Sequence, residues 1–196
     1  MDGADNAIVR QARREAKRRA KEEQQRLRAR QRRRRDLLAY GGMSMVAALL
    51  LGLIVWSALR PKPGQPVAGQ GQVHISPGQP HSPYNSNPPT SGWHFPQPAA
   101  WGYYNSELPD ELVVHNLEHG GIWISFKNAD DTEVINKLVA LSQLYRSKVI
   151  ITLRPKNDSR IAVAAWQRIL KLDGYDEAQI VAFIEAWRNR GPERVP

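Results

Sequence analysis

The segment of this chain best suited to chemistry holds two histidines and a carboxylate within five residues, at His115, Glu118 and His119. Imidazole nitrogens and carboxylate oxygens bind transition-metal ions and also transfer protons. The chain has five histidines in all: His74, His81, His94, His115 and His119. Since none of them lies beyond this segment, the candidate functional groups are concentrated in residues 74–119.

The order of the three residues matches the His-x-x-Glu-His motif of inverted zinc metallopeptidases. In a helix, His115 and His119 lie about 6 Å apart on one face, so both rings can bind one zinc ion while Glu118 activates its water. Asp110 suits the first turn of such a helix and Gly120 suits its end. A helix here would therefore support a zinc hydrolase.

The neighbouring Val113-Val114 pair favours a strand instead. In a strand, four residues span about 13 Å, so His115 and His119 cannot bind one ion unless the chain turns or bulges between them. A hydrolase also needs a third ligand, and the carboxylates of the last predicted helix lack a partner motif. The sequence leaves both conformations open and makes hydrolysis the third hypothesis.

A second use of these residues combines separate parts of the chain. Three imidazoles, from His94, His115 and His119, suit copper or zinc, with Glu118 or Tyr103 as a further ligand or hydrogen-bonding partner. Alternatively, the histidines hydrogen-bond backbone carbonyls and pair with Glu118 in a purely structural network. The leading prediction is a metal site at His94, His115, His119 and Glu118, without catalytic residues.

The elements around these residues predict a small α+β domain. Residues 122–126 and 149–153 have the β-branched and aromatic composition of strands. Asp131 offers an N-cap for an intervening helix that runs to Arg146. Residues 161–172 fit either a strand or a helical stripe.

A final helix is predicted from its cap and its apolar face. Asp176 and Gln179 form a pair resembling a capping box. The apolar residues that follow recur at helical spacing: Ile180, Phe183, Ile184 and Trp187. We expect residues 84–194 to form an antiparallel or mixed sheet with two or more helices, within the usual size of one domain.

Two different segments precede this domain. Residues 60–83 are rich in proline and glycine and are predicted to be an extended linker. Residues 84–94 combine turn-forming residues with Tyr84, Trp93 and His94. We expect residues 84–94 to lie against the domain along a fixed path.

An uncharged stretch at residues 37–59 predicts one transmembrane helix. As a helix it extends about 35 Å, enough to cross a hydrocarbon layer of about 30 Å. Residues 1–36 hold 14 Lys/Arg and 6 Asp/Glu, a net charge of +8 within the total of +9. Positively charged flanks stay cytoplasmic. This predicts a single-pass protein of the cytoplasmic membrane, with the N-terminus inside and the C-terminal domain outside.

The basic segment and the membrane helix each suggest a partner. Residues 10–35 are expected to be helical but lack an apolar face for a core or a partner groove, so we expect them to bind anionic lipid. Nucleic-acid binding is not expected, because no aromatic residue is interleaved with the arginines and the predicted membrane span follows directly. Ser44, Ala48 and Gly52 recur every fourth residue, so one face of the predicted span can seat another transmembrane helix closely.

The chain contains no cysteine. Disulfides, thiolate zinc, iron–sulfur clusters, c-type haem and blue copper are therefore excluded. Its methionines are Met1, Met43 and Met45, all before the predicted domain. A metal in that domain must bind to nitrogen or oxygen ligands.

Four motifs together resemble DUF3105, an uncharacterised bacterial family of membrane-anchored exterior domains. They are residues 84–94, 114–121, 164–166 and 191–193, and the resemblance extends over about residues 72–194. It implies a single span, an exterior placement, and one site or structural unit shared by the first two motifs. It implies no reaction. From the histidine site and the membrane anchor, we expect an accessory module that acts beside a larger membrane complex. A structural or interaction module without a metal is the second hypothesis.

Overall fold

The computed structural model describes residues 2–59 and 61–193. The chain divides into two units, Met1–Arg60 and Pro61–Pro196. In the first unit, helix α1 (Asp2–Leu59) includes both the basic segment and the apolar stretch. Among the described residues, one helix is long and apolar enough to cross a membrane, and its candidate segment is Lys17–Ser57.

The second unit is α+β, as the sequence predicts. Its strands are β1 (Gln65–Pro66), β2 (Gly102–Tyr104), β3 (Ile122–Phe126), β4 (Val149–Leu153), β5 (Ile161–Ala165) and β6 (Arg168–Leu172). Its helices are α2 (Asp110–Glu118), α3 (Thr132–Leu144) and α4 (Glu177–Trp187). Asp131 and Asp176 cap α3 and α4 by accepting hydrogen bonds from the amides of Val134 and Gln179.

The strands form one mixed sheet in the order β1-β6-β5-β3-β4-β2. Strand β4 runs parallel to β2 and β3, and the remaining pairs are antiparallel. The ambiguous residues 161–172 form the β5–β6 hairpin, in which Ala165 pairs with Arg168. Gln167 adopts a φ of 57° in the connecting turn. The helical alternative for this stretch is therefore wrong.

The two faces of the sheet carry different helices. Successive side chains of a strand point to opposite faces, so Ile122, Ile124 and Phe126 of β3 pack in one core with residues of α3 and α4. Trp123 points the other way and packs with Val113 and Leu117 of α2. The histidine-bearing helix therefore lies alone among the three on its face of the sheet.

Part of the predicted linker, residues 60–83, pairs with the sheet. Gln65 pairs with Ile169, which makes β1 an edge strand, a position that tolerates proline. The indole nitrogen of Trp187 donates to the carbonyl oxygen of Pro63 at 2.8 Å. The described part of this segment thus belongs to the same compact unit as the sheet; Arg60 and Arg194, at the ends of the predicted segments, lie outside the described residues.

Candidate metal centre

Residues 110–118 form helix α2, and His119 immediately follows as its C-cap. Two acidic residues in the first turn suit the helix dipole. The β-branched pair Val113-Val114 has a modest intrinsic preference against helix, but both side chains and that of Leu117 are fully buried. Packing on the sheet therefore decides the conformation in favour of a helix, and the strand alternative is wrong.

The beginning of α2 is fastened to the end of β4 by a buried ion pair. Arg154 donates from Nε and Nη2 to the two carboxylate oxygens of Asp110, at 3.0 and 2.9 Å. The same guanidinium lies 5.6 Å from the ring centroid of Trp123. It also donates to Asn87 of residues 84–94, which we call the turn segment. This bidentate pair fixes the position of α2 on the sheet and holds the turn segment beside it.

The end of α2 is covered by the chain that follows α4. The amide of Asn189 donates to the carbonyl oxygen of Gly120 at 2.7 Å, and that of Glu193 donates to the carbonyl oxygen of Glu118 at 3.1 Å. A Cβ atom on Gly191 would lie 2.0 Å from the same Glu118 oxygen, so this close approach requires glycine. The C-terminal segment thereby brings the side chain of Glu193 to the histidine motif.

Four residues from three parts of the chain form what we call the inner set: His74, His94, His115 and Glu118. One ligand atom from each lies within 4.8 Å of the others. Glu118 Oε2 is 2.9 Å from Nε2 of His94 and 3.6 Å from Nε2 of His74. The ring of His115 stacks on that of His74 at a centroid distance of 5.2 Å. Three imidazoles and one carboxylate therefore converge at one place.

A second group, the outer set, consists of His115, His119 and Glu193, whose ligand atoms also lie within 4.8 Å of one another. The Nε2 atoms of His115 and His119 are 2.9 Å apart. Nε2 of His119 is also 3.1 Å from Oε2 of Glu193. The two sets overlap at His115.

Backbone carbonyls determine which nitrogen of two rings faces the inner set. Nδ1 of His94 lies 2.7 Å from the carbonyl oxygen of Gly92, and Nδ1 of His115 lies 2.7 Å from that of Phe95. A carbonyl oxygen only accepts, so each Nδ1 must carry the proton and donate it. In the neutral ring, Nε2 then carries the lone pair; this atom faces Nε2 of His119 in His115 and Oε2 of Glu118 in His94, each at 2.9 Å. Histidines that bind metals are oriented in this way.

The inner set is buried on one side and reaches solvent on the other. The side chains of His94 and Glu118 are 0% and 4% exposed, whereas that of His74 is 49% exposed. Gln72 donates to Oε1 of Glu118 at 2.9 Å, which holds the carboxylate in place. The inner set is therefore buried at His94 and Glu118 and open to solvent at His74.

Burial lowers the pKa of His115, the hydrogen bond to Phe95 opposes this effect, and the neighbouring His119 and His94 lower the pKa further. A lowered pKa favours the neutral imidazole, which is the form that binds a metal ion. His115 is accordingly suited to act as a ligand at neutral pH.

The structure brings the four predicted residues together, but in two overlapping groups. His94, His115 and Glu118 belong to the inner set, and His119 belongs to the outer set. Tyr103, the alternative ligand, stacks on Phe126 in the core on the opposite face of the sheet. It is therefore excluded as a ligand.

Sequence reasoning missed His74 and Glu193. The surrounding prolines place His74 in the predicted linker, whereas in the structure it pairs through its backbone with His94. Glu193 belongs to the motif at residues 191–193, and this was the available signal for its role. His81 takes no part in either set, since its Nε2 lies 3.1 Å from Oε1 of Glu111.

The whole of both sets lies within a match to one protein family. A family model described as "Protein of unknown function (DUF3105)" matches residues 74–195. The chain belongs to this family. Neither curated proteins nor solved structures provide a significant match. Because the family has no assigned reaction, the function must be argued from the site itself.

Proposed function

We propose that this member of DUF3105 is a single-span membrane protein whose exterior domain binds one zinc or copper(II) ion at the inner set. The observation that carries the proposal is the orientation of two rings. Hydrogen bonds from Nδ1 to the carbonyl oxygens of Gly92 and Phe95 leave Nε2 of His94 and His115 as the metal-binding atoms. Nε2 of His94 faces Oε2 of Glu118 at 2.9 Å, and one ligand atom of His115 lies within 4.8 Å of those of the other inner residues.

With Nδ1 protonated, the groups that face the inner set are hydrogen-bond acceptors, and such groups bind cations. Two imidazole lone pairs and a carboxylate repel one another unless a proton or a metal ion lies between them. A proton bridges a single pair, such as His94 and Glu118, whereas one metal ion binds all the donors together. Three imidazoles with one carboxylate suit zinc and copper(II). Hydrogen bonds satisfy these groups in separate pairs, His94 with Glu118 and His115 with His119, whereas one metal ion would bind the donors of the inner set together.

The membrane placement rests on helix α1. Its apolar segment is long enough to span a bilayer, and the arginines that precede this segment favour a cytoplasmic N-terminus. The same basic residues attract anionic lipid, at roughly 1 kcal/mol each near the surface. The small residues Ser44, Ala48 and Gly52 suit close packing against a second transmembrane helix. An accessory module beside a larger membrane complex is consistent with these features.

A zinc hydrolase is the third hypothesis, after the structural module; it is kept because α2 places the Nε2 atoms of His115 and His119 2.9 Å apart. In such enzymes the glutamate of the motif activates the metal-bound water. Here one oxygen of Glu118 accepts from Gln72 and the other faces His94. These contacts suit a ligand or an orienting group better than a general base, so binding is the preferred function.

Metal analysis of the full-length protein in detergent tests the proposal. We expect about one equivalent of zinc or copper(II) per wild-type chain, and loss of that metal in His94→Ala, His115→Ala and Glu118→Gln. His81→Ala is the matched control, because it removes an imidazole outside both sets and should retain the metal. A wild-type protein that binds neither ion would refute metal binding. A melting temperature lowered by His94→Ala but insensitive to added metal would instead support the structural module.

A further inference from the structure

The inner and outer sets share one residue, His115. His115 belongs to both sets, and its Nδ1 is occupied by the hydrogen bond to the Phe95 carbonyl at 2.7 Å. Only Nε2 remains as a donor to a metal, and its one lone pair binds one ion at a time. The two sets therefore cannot both be complete around separate ions.

We infer, on the basis of the proposed metal-binding function, that one ion exchanges between two positions of this site. The outer set, with His119 and Glu193, takes up and releases the ion, and the inner set holds it. His115 stays bound in both positions. The site would thus be built to transfer a zinc or copper(II) ion and not only to store one.

Burial distinguishes the two positions. In the inner set, His94 and Glu118 are almost fully buried, and a buried carboxylate attracts a cation more strongly than an exposed one. In the outer set, the side chain of Glu193 is 51% exposed. The inner set also offers four donors where the outer set offers three. The outer position leaves room for a further ligand, such as an imidazole or a carboxylate of an exchanging molecule.

The backbone holds the two positions next to each other. The amide of Glu193 donates to the carbonyl oxygen of Glu118 at 3.1 Å, so a ligand of the outer set is fixed directly to a ligand residue of the inner set. The close approach of Gly191 to the same oxygen fixes this register. A short movement of the ion, with His115 retained, therefore connects the two positions.

The alternative to entry through the outer set is direct entry into the inner set past His74, whose side chain is half exposed. We call this the competing route. Removal of His74 and removal of the outer ligands should then have different kinetic effects. Along the inferred route, loss of His119 or Glu193 slows both entry and release. Along the competing route, the outer ligands have no effect on either rate.

The experiment measures zinc stoichiometry and the rate of zinc transfer to a chromophoric chelator, with the full-length protein in detergent. We expect one zinc ion per wild-type chain. Glu193→Gln and His119→Ala should slow loading and release about tenfold, whereas His94→Ala should weaken binding and accelerate release. Glu133→Gln on α3 is the control, because it removes one exposed carboxylate that pairs with Lys137 on the opposite face of the sheet.

Two zinc ions per chain would overturn the inference, since they cannot share the one lone pair of His115. Transfer at the wild-type rate in both Glu193→Gln and His119→Ala would also overturn it, and slower loading in His74→Ala would then identify the competing route. These results leave the proposed function intact. Absence of zinc and copper(II) binding in the wild type would refute the proposed function itself.

Discussion

The Nε2 atom of His94 lies 2.9 Å from Oε2 of Glu118, although the two residues are 24 positions apart in the chain. Helix α2 carries the glutamate, and the turn segment that crosses beside it carries the histidine. The same pair of atoms provides the most direct test of the metal centre.

Glu118→Gln should weaken zinc or copper(II) binding by about tenfold to a hundredfold. The amide preserves the size of the side chain but removes the negative charge that the cation requires. Isothermal titration of the full-length protein measures the change in affinity. Glu111→Gln is a suitable control, because Glu111 lies on the same helix and pairs with His81 outside both sets. Equal affinities for wild type and Glu118→Gln would contradict the assignment of Glu118 as a ligand.

Removal of the metal should destabilise the second unit. A ligand that binds only the folded state stabilises it by about 2.7 kcal/mol when its free concentration is a hundred times its Kd. Chemical unfolding with buffered zinc, compared with unfolding in the presence of a chelator, measures this difference. His115→Ala should abolish the effect of zinc, whereas a zinc effect that survives this change would locate the binding elsewhere.

Arg154→Met should destabilise the protein by about 3 kcal/mol, because the buried carboxylate of Asp110 loses its bidentate partner and keeps only the exposed Lys156, whose Nζ lies 3.1 Å from Oδ2. Both side chains of this pair are less than a tenth exposed. Urea unfolding measures the loss. The exposed pair between Lys171 and Asp158 provides the control, since Lys171→Met should cost no more than about 1 kcal/mol. Similar losses in both variants would show that α2 does not depend on the buried pair.

Gly191→Ala should destabilise the protein by about 1–3 kcal/mol. It should also slow zinc transfer, because it displaces Glu193 from the outer set. The added Cβ would lie 2.0 Å from a backbone oxygen, so residues 191–193 must move away from α2. Gly174→Ala is the matched control, since its Cβ would approach only the end of the Arg160 side chain, at 3.8 Å. Thermal unfolding and zinc transfer rates measure the two effects. A Gly191→Ala protein that matches Gly174→Ala in both would contradict the role of this close approach.

The pair formed by His81 and Glu111 should stabilise the fold more at low pH than at high pH. Burial lowers the pKa of His81, but the hydrogen bonds to Glu111 and to the Ser82 carbonyl, together with the charge of Glu111, raise it above its ordinary value. A raised pKa in the folded state gives stability that is present below the unfolded value of about 6.5 and is lost as pH rises through the folded value.

His81→Gln should therefore lower the free energy of unfolding more at about pH 5.5 than at about pH 8.5, on either side of that range. Urea unfolding of wild type and variant at both values measures the difference. A loss that is equal at the two values, or greater at the higher one, would show that the charged form of His81 is not the stabilising species.

Features that depend on local sequence pattern can be predicted without the structure. An unbroken run of uncharged residues makes a long apolar helix whatever follows it, and the absence of cysteine limits the ligands to nitrogen and oxygen. The strand composition of residues 122–126 and the caps at Asp131 and Asp176 are equally local, since each depends on neighbours within about one turn or strand.

Tertiary structure decided the rest, because it depends on contacts between residues far apart in the chain. Burial on the sheet made Val113 and Val114 helical against their intrinsic preference. Pairing along the sheet edge turned a proline-rich stretch into part of the domain and delivered His74 to His94. The path after α4 delivered Glu193 to His119. The spacing of these residues in the sequence does not predict these contacts. They arise because the strand order of the sheet, together with the paths of the chain before β2 and after α4, brings the ligands together.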